Sequence, residues 1–467
     1  MKLEFHGADQ NVTGSCHLLE IKGKKILIDC GLYQGGREMD EDNAEPFGFE
    51  PSEIDYLLLT HAHLDHCGRI PLLVKQGFSG EIITTAASCE LARLVLLDSA
   101  HLQEEEAQYK SRKASRHGQH VEVKPLYSVV DTLNSFGFMG RTASYNETME
   151  IASGIQATFI DAGHILGSAS IILEFEVKGK LRKIVFSGDL GYKGRAILRD
   201  PCYPPKADIV VMETTYGDRQ HKTLKPTLDE FYTAVTETVR HGGNVIIPTF
   251  ALERAQEILY YIREGIADKR LPDYLPVFLD SPMAISATEI FQRHPECFDK
   301  ETCQVFKSGR DPFSFPGLHF TRQTADSMAI NNVTGGAVIM AGSGMCTGGR
   351  VKHHLKHNLW NPRNAVIFVG YAAQGTLARR IIDGAETVKI FGEEIQVQAS
   401  IYTIGGFSAH ADQSQLLDWY HKPGEPDVTF LVHGEKEVMQ VFAKKLEHTR
   451  VEIPGLHQHY NLEDLLN

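Results

Sequence analysis

The sequence predicts an α/β fold built as two domains. Three observations carry that expectation: short apolar runs alternating with helical segments, a change of texture near residue 215, and a return to hairpin texture after Gly384. A chain of 467 residues also exceeds what one hydrophobic core usually serves.

The segment HLLEIKGKKILIDCG (17–31) reads as a hairpin, two apolar-alternating runs around Lys22-Gly23-Lys24. IDYLLLT (54–60) is a near-continuous apolar run, as a strand buried on both faces requires. Residues 155–163, 170–177 and 181–189 read as three more strands and 207–214 as another. Helices are predicted over 88–110 and 226–240, which gives a layered α/β pattern. From about 215 the theme becomes a short apolar strand, then Gly, Ser or Pro, then a helix. GGNVIIPTF (242–250) precedes the amphipathic ALERAQEILYYIREGI, and YLPVFLDSP, GGAVIMAGSG and NAVIFVG repeat the arrangement. That predicts a parallel α/β domain of its own. VKIFGEEIQVQASIYTI (388–404) reads as a hairpin around Gly392, and DVTFLVHG (427–434) as a strand. The expected division is 1–208, 209–385 and 386–467, the last segment completing the first domain.

Composition narrows the class. Apolar residues make up 42% and charged residues 23%, too apolar for disorder. No run approaches the roughly 18 apolar residues of a membrane span, and MKLEFHGADQ lacks a signal-peptide pattern. The eight scattered cysteines include no CxxC pair, which suggests reduced thiols and a cytoplasmic location. A net charge of −13 disfavours general affinity for nucleic acid, so a polyanionic substrate would need bound metal and a local basic cleft. The run EEEAQYKSRKASRHGQH (104–120) reads as an exposed helix end and loop, and its basic part, Lys110 to Arg116, as solvated.

Histidine, at 22 residues, is abundant, and T-H-A-H-L-D-H at 60–66 concentrates it. His61, His63, Asp65 and His66 are four nitrogen and oxygen donors directly after a strand, a set that zinc and similar borderline metals accept. His164 in D-A-G-H-I-L-G-S and Asp189 in F-S-G-D are further donors in Gly-flanked loops at strand ends. Each alone reads equally as a loop residue; in this order they form one pattern. The neighbouring His353, His354 and His357 lack a carboxylate at matching spacing and read as surface or core histidines.

The HxHxDH pattern resembles the metallo-β-lactamase superfamily. That resemblance implies an αββα sandwich holding two zinc ions. By it, His61, His63 and His164 would hold one metal, Asp65 and His66 the other, and Asp189 would bridge them. His433 in F-L-V-H-G-E would complete the second position, and Asp29 in L-I-D-C-G would orient a ligand or the bridging water. Glu213 in M-E-T-T-Y-G, His410 in F-S-A-H-A-D and His433 look like the three motifs of the β-CASP nucleases. The insertion near 215–385, with I-P-T-F-A-L-E-R-A-Q-E and A-G-S-G-M-C-T-G-G-R, resembles their β-CASP domain.

The resemblance implies hydrolysis of single-stranded RNA, the histidine at 433 being typical of RNA-processing members. Water activated by the metal pair would attack phosphorus. His410 would act as general acid, Glu213 would hold its ring, and the ends left would be 5′-phosphate and 3′-hydroxyl. Asp65, Glu213, His410 and Asp29 are thus the expected catalytic residues. Arg350, Thr376 and Arg379 are candidate substrate contacts, and the glycine-rich turn 342–349 either faces substrate or answers to tight local geometry. Endonuclease action is the leading expectation. Alternatives are 5′–3′ exonuclease action, a DNA nuclease, a glyoxalase-like hydrolase and a non-catalytic scaffold. A homodimer fits the family habit.

Overall fold

In the computed structural model, residues 1–34, 42–116, 122–370 and 372–466 are described. The chain divides into two compact units: one of 1–193, 200–220 and 410–467, the other of 194–199 and 221–409.

The first unit holds two seven-stranded sheets. One runs in the order His459–Asn461, Lys2–Phe5, His17–Ile21, Lys24–Ile28, Tyr56–Leu58, Glu81–Thr85, Met139–Ala143. The other runs Arg450–Glu452, Val428–Val432, Ile209–Glu213, Lys180–Phe186, Ala169–Val177, Ile155–Asp161, Thr148–Ala152. Alternation along the strands sends Phe5, Ile26 and Ile28 of the first and Phe159, Phe175, Val211 and Phe430 of the second into one shared core. The outward residues of the second sheet, such as Val185, Met212 and Leu431, meet Leu416, Trp419, Met439 and Phe442 from the helices Gln413–His421 and Lys436–Ala443. The 31-residue helix Ala86–Arg116 buries Leu91, Ala92, Val95 and Leu96. This is the αββα sandwich that the resemblance implied. The hairpin at 17–31 and the strands expected at 54–60, 155–163, 170–177, 181–189 and 207–214 all form, two to four residues shorter at some ends.

In the second unit, a six-stranded parallel sheet has the order Leu318–Phe320, Val277–Leu279, Val338–Ala341, Val245–Pro248, Ala365–Phe368, Ser400–Thr403. Its central strands are apolar throughout and fully buried, as parallel strands covered on both faces must be. Ser281, Asp299 and Thr376 cap the helices Pro282–Arg293, Lys300–Lys307 and Leu377–Ile382 by accepting from backbone N–H groups three residues on.

The compact units are cut at other places than the expected segments. Ile209–Glu213 pairs in parallel with Lys180–Phe186 and Val428–Val432, so it belongs to the first unit, which keeps the chain to Gln220. The hairpin Thr387–Ile390 with Glu393–Gln396 does form, but Ser400–Thr403 then joins the parallel sheet beside Ala365–Phe368. The second compact unit therefore runs to Ala409. The hairpin texture misled because a short antiparallel ribbon looks alike in either domain.

Candidate metal centre

The strands ending at Asp161, Phe186, Glu213 and Val432 run in one direction, so their following loops gather at one edge of the second sheet. These loops carry His164, Asp189 and His433, with Glu213 as the last residue of its strand. From the first sheet, the chain after Tyr56–Leu58 turns into the one-turn helix Leu64–Cys67 and presents His61, His63, Asp65 and His66. Gly191 lets these loops close: a Cβ there would sit 1.7 Å from the Gly163 carbonyl oxygen, beside His164.

The donors fall into two groups. His63 Nδ1 lies 3.2 Å from both His61 Nε2 and His164 Nε2, and Asp189 Oδ2 lies 3.5 Å from His61 and from His164. His66 Nε2 lies 3.3 Å from His433 Nε2 and 3.3 Å from Asp189 Oδ1, while Asp65 Oδ2 is 3.4 Å from His433 Nε2. Asp189 thus turns one oxygen to each group.

The outer nitrogens explain why these arrangements suit cations. Asp29 accepts from Thr60 N at 2.7 Å and Thr60 Oγ1 at 2.8 Å, and His66 Nδ1 lies 2.8 Å away. With that N–H given to Asp29, His66 presents a lone pair at Nε2. His433 Nδ1 lies 3.0 Å from Thr215 Oγ1, and His61 Nδ1 3.0 Å from Thr60 Oγ1. The inner nitrogens of His61, His66 and His433 therefore face the cluster as acceptors, an arrangement that repels unless a cation lies among them. Donors about 2.0–2.1 Å from zinc at tetrahedral angles stand roughly 3.3–3.4 Å apart, close to the spacing seen. The residues fit a dinuclear metal site.

Electrostatics agree for the first group; in the second, Asp189 and Asp29 outweigh burial and hold His66 well above the ordinary histidine value. Burial pushes His63 down to about 4, against the pull of Asp65 and Asp189, and holds His61 and His164 well below the ordinary histidine value. Neutral imidazole is the form a metal takes. Burial opposes the charge on Asp189, yet His433, His66 and His61 keep it ionised, well below the usual carboxylate range.

His410 stands at the rim, bridged to Gly191 and with a side chain 20% exposed. Its Nδ1 lies 3.3 Å from Glu213 Oε1 and 3.9 Å from Asp189 Oδ2. Burial works against a charged ring, but Glu213, then Asp189 and Asp65, outweigh it and push His410 up to about 9. Glu213 is itself buried and fixed, accepting from Leu190 N at 2.5 Å and Thr215 N at 3.3 Å. Thr60 and Thr215 went unassigned in the sequence, although both stand inside motifs that were singled out. Only the fold shows that their hydroxyls orient ligands.

The remaining candidates lie in the second unit. Arg350 spends Nη1 on Asp280 Oδ1 and the Thr321 carbonyl, and Nη2 on the Arg322 carbonyl, a structural duty not foreseen from sequence. Thr376 uses its hydroxyl to cap its helix, and Arg379 pairs with Asp383. In the turn 342–349, Gly349 has a φ of +73° and a Cβ there would meet the Gly342 carbonyl oxygen at 2.3 Å, so tight geometry demands it. His354 is a core histidine bound to Asp280, and His353 packs on Phe391. Lys110 to Arg116 form the last turns of a helix rather than a loop; 117–121 lie outside the described residues.

Residues 10–239 match the metallo-beta-lactamase superfamily, 255–381 the Beta-Casp domain, and 394–454 the Zn-dependent metallo-hydrolase RNA specificity domain. The chain is 42% identical over 446 residues to "Ribonuclease TTHA0252" of Thermus thermophilus, covering 96% of each. It is 32% identical to the transcription termination factor FttA of Methanosarcina mazei, over 92% of this chain and 66% of that protein. It is 31% identical to an RNase J-like protein of Methanocaldococcus jannaschii, over 94% of each. The solved structure of a protein of unknown function from Enterococcus faecalis V583 covers 98% of this chain and 99% of its own at a TM-score of 0.55 and 12% identity, a likeness of fold alone.

Proposed function

The chain belongs to the β-CASP branch of the metallo-β-lactamase superfamily, and from that premise we propose that it is a two-zinc ribonuclease cutting single-stranded RNA internally. The observation that carries the reading is His410: an imidazole at the rim of a dinuclear donor set, its Nδ1 3.3 Å from Glu213 Oε1. A scaffold or a small-ester hydrolase gives no use to that pair. The names of the ribonuclease and RNase J-like relatives, and the match to an RNA specificity domain, support RNA as the substrate.

In this reading His61, His63 and His164 would hold one zinc and Asp65, His66 and His433 the other, with Asp189 facing both groups. When bound, the pair supplies an activated water and polarises the phosphate oxygens. Asp29 and Thr215 keep the imidazoles of His66 and His433 turned toward the metal. His410 gives its proton to the departing 3′-oxygen, and Glu213 holds the ring at Nδ1 so that Nε2 is free to donate. The products carry 5′-phosphate and 3′-hydroxyl ends. Arg379, which pairs with Asp383 at the surface, is a proposed backbone contact. Free thiols throughout support a cytoplasmic location, and a homodimer is proposed on family habit. No helix among the described residues is long and apolar enough to cross a membrane.

The test is cleavage of a 5′-labelled single-stranded RNA by zinc-loaded protein, with a matched DNA and the His410→Ala variant alongside. Internal cuts in RNA are expected, with DNA largely spared and a loss of about 10²–10⁴ in kcat for the variant. Intact RNA in the presence of tightly bound metal would remove the ribonuclease reading.

A further inference from the structure

Beneath the second metal position lies a small chamber of about 20 Å³ between the two sheets. Its floor is apolar: Ile28, Phe186, Val211 and Val432. Its roof is the back of the donor set, with Asp29, Thr60, His66, Asp189 and His433. Three further polar side chains line it, Ser15, Ser187 and His17, and the chemistry above does not use His17.

His17 opens its strand, paired across to Phe5 on one side and Ile28 on the other, and is 3% exposed. The Phe5 ring stands edge-on at 5.2 Å. Its Nε2 lies 3.4 Å from Ser15 Oγ, while Nδ1 has no hydrogen-bond partner among the described residues. Burial, then the neighbouring His66, His6 and His433, pushes the ring down to about 3, so it stays neutral. A leucine or phenylalanine would suit this apolar setting better, since an unpaired buried nitrogen carries its full desolvation cost. One water fills a space of this size when two or more polar partners surround it.

We propose that His17 holds a single buried water in this chamber, and that the water ties His17 Nδ1 to the back of the Asp29–His66–His433 set and so fixes the second metal position. His17 is then a positioning residue. It touches neither metal nor substrate, and acts through solvent on the groups that orient the ligands. The inference rests on the metal reading above.

Two variants separate positioning from packing. His17→Leu keeps volume and removes the polar atom. His17→Asn keeps a polar atom near the place of Nδ1 and leaves the space less filled. Zinc affinity of the full chain is measured by competition with a chromophoric chelator, without RNA, together with a high-resolution crystal structure of the wild type. Expected are one ordered solvent peak within hydrogen-bond distance of His17 Nδ1 and a loss of about tenfold or more in the weaker zinc affinity for His17→Leu. His17→Asn should stay within about threefold of wild type, by the same argument. A packing role would reverse the order, with leucine equal to wild type and asparagine worse, and would overturn the proposal, as would a dry chamber. Wild-type protein that takes up no zinc would overturn the metal reading instead, and the solvent peak would still decide whether His17 holds water.

Discussion

Two regions of the molecule bury histidine with aspartate at the ends of strands, and they do opposite things with them. In the first unit, His61, His63 and His164 turn lone pairs toward one another around Asp189. In the second, Asp280 follows the strand Val277–Leu279, and its two oxygens take four protein donors: Thr321 Oγ1 at 2.8 Å, Ser327 Oγ at 2.6 Å, Arg350 Nη1 at 2.7 Å and His354 Nε2 at 2.6 Å. One cluster is short of hydrogen-bond donors and the other is saturated with them. Residue type alone does not make a metal site; what decides is whether the acceptors meet hydrogens or only one another.

The largest expected effect comes from Asp189→Ala, the one residue facing both donor groups. It should lower metal affinity by more than the roughly 10–100-fold that changes behind the ligands cost, read by chelator competition. Asp280→Asn is the opposite case. Metal content should remain at the wild-type value, while unfolding free energy falls by about 3–5 kcal/mol because Arg350 and His354 lose their partner. Loss of metal on that change would break the contrast.

An acid titration sharpens it further. Hydrogen bonds from His354, Ser327, Thr321 and Arg350 outweigh burial and lower Asp280 to about 2 from 3.8, so its contribution is full above 3.8 and is lost as pH falls toward 2. That contribution is roughly 2–3 kcal/mol, measurable by denaturant unfolding between pH 5 and 2. The smallest effect is on the pH profile of cleavage. His410 must be protonated to donate, so the rate falls as pH rises through about 9. Glu213→Gln removes the strongest raising influence and should move that alkaline limb down by a unit or more. An unmoved limb would show that Glu213 does not set the proton on His410.

How legible was this in the sequence? The donors at 61–66 were, because four of them stand within six positions and a single turn suffices to gather them. Glu213 and His410 were legible only as motifs, since their meeting at 3.3 Å joins positions 197 residues apart. Thr60 carries no signal beyond adjacency to His61, and Thr215, 218 residues from His433, carries none beyond its place in M-E-T-T-Y-G, as a hydroxyl partner is chosen by the fold. Arg350 looked like a phosphate contact because its buried partner, Asp280, lies 70 residues upstream. The pairing of Ser400–Thr403 with Ala365–Phe368 has the same origin: nothing local in that strand says which sheet it will join.

The second donor group joins His66 to His433 across 367 residues of chain. During synthesis at about 5–20 residues per second, roughly 20–70 s separate the emergence of these two ligands. Throughout that interval the growing polypeptide, tethered beside its own messenger, lacks a complete second position. A nuclease assembled in this order lacks its second donor group until His433 has emerged.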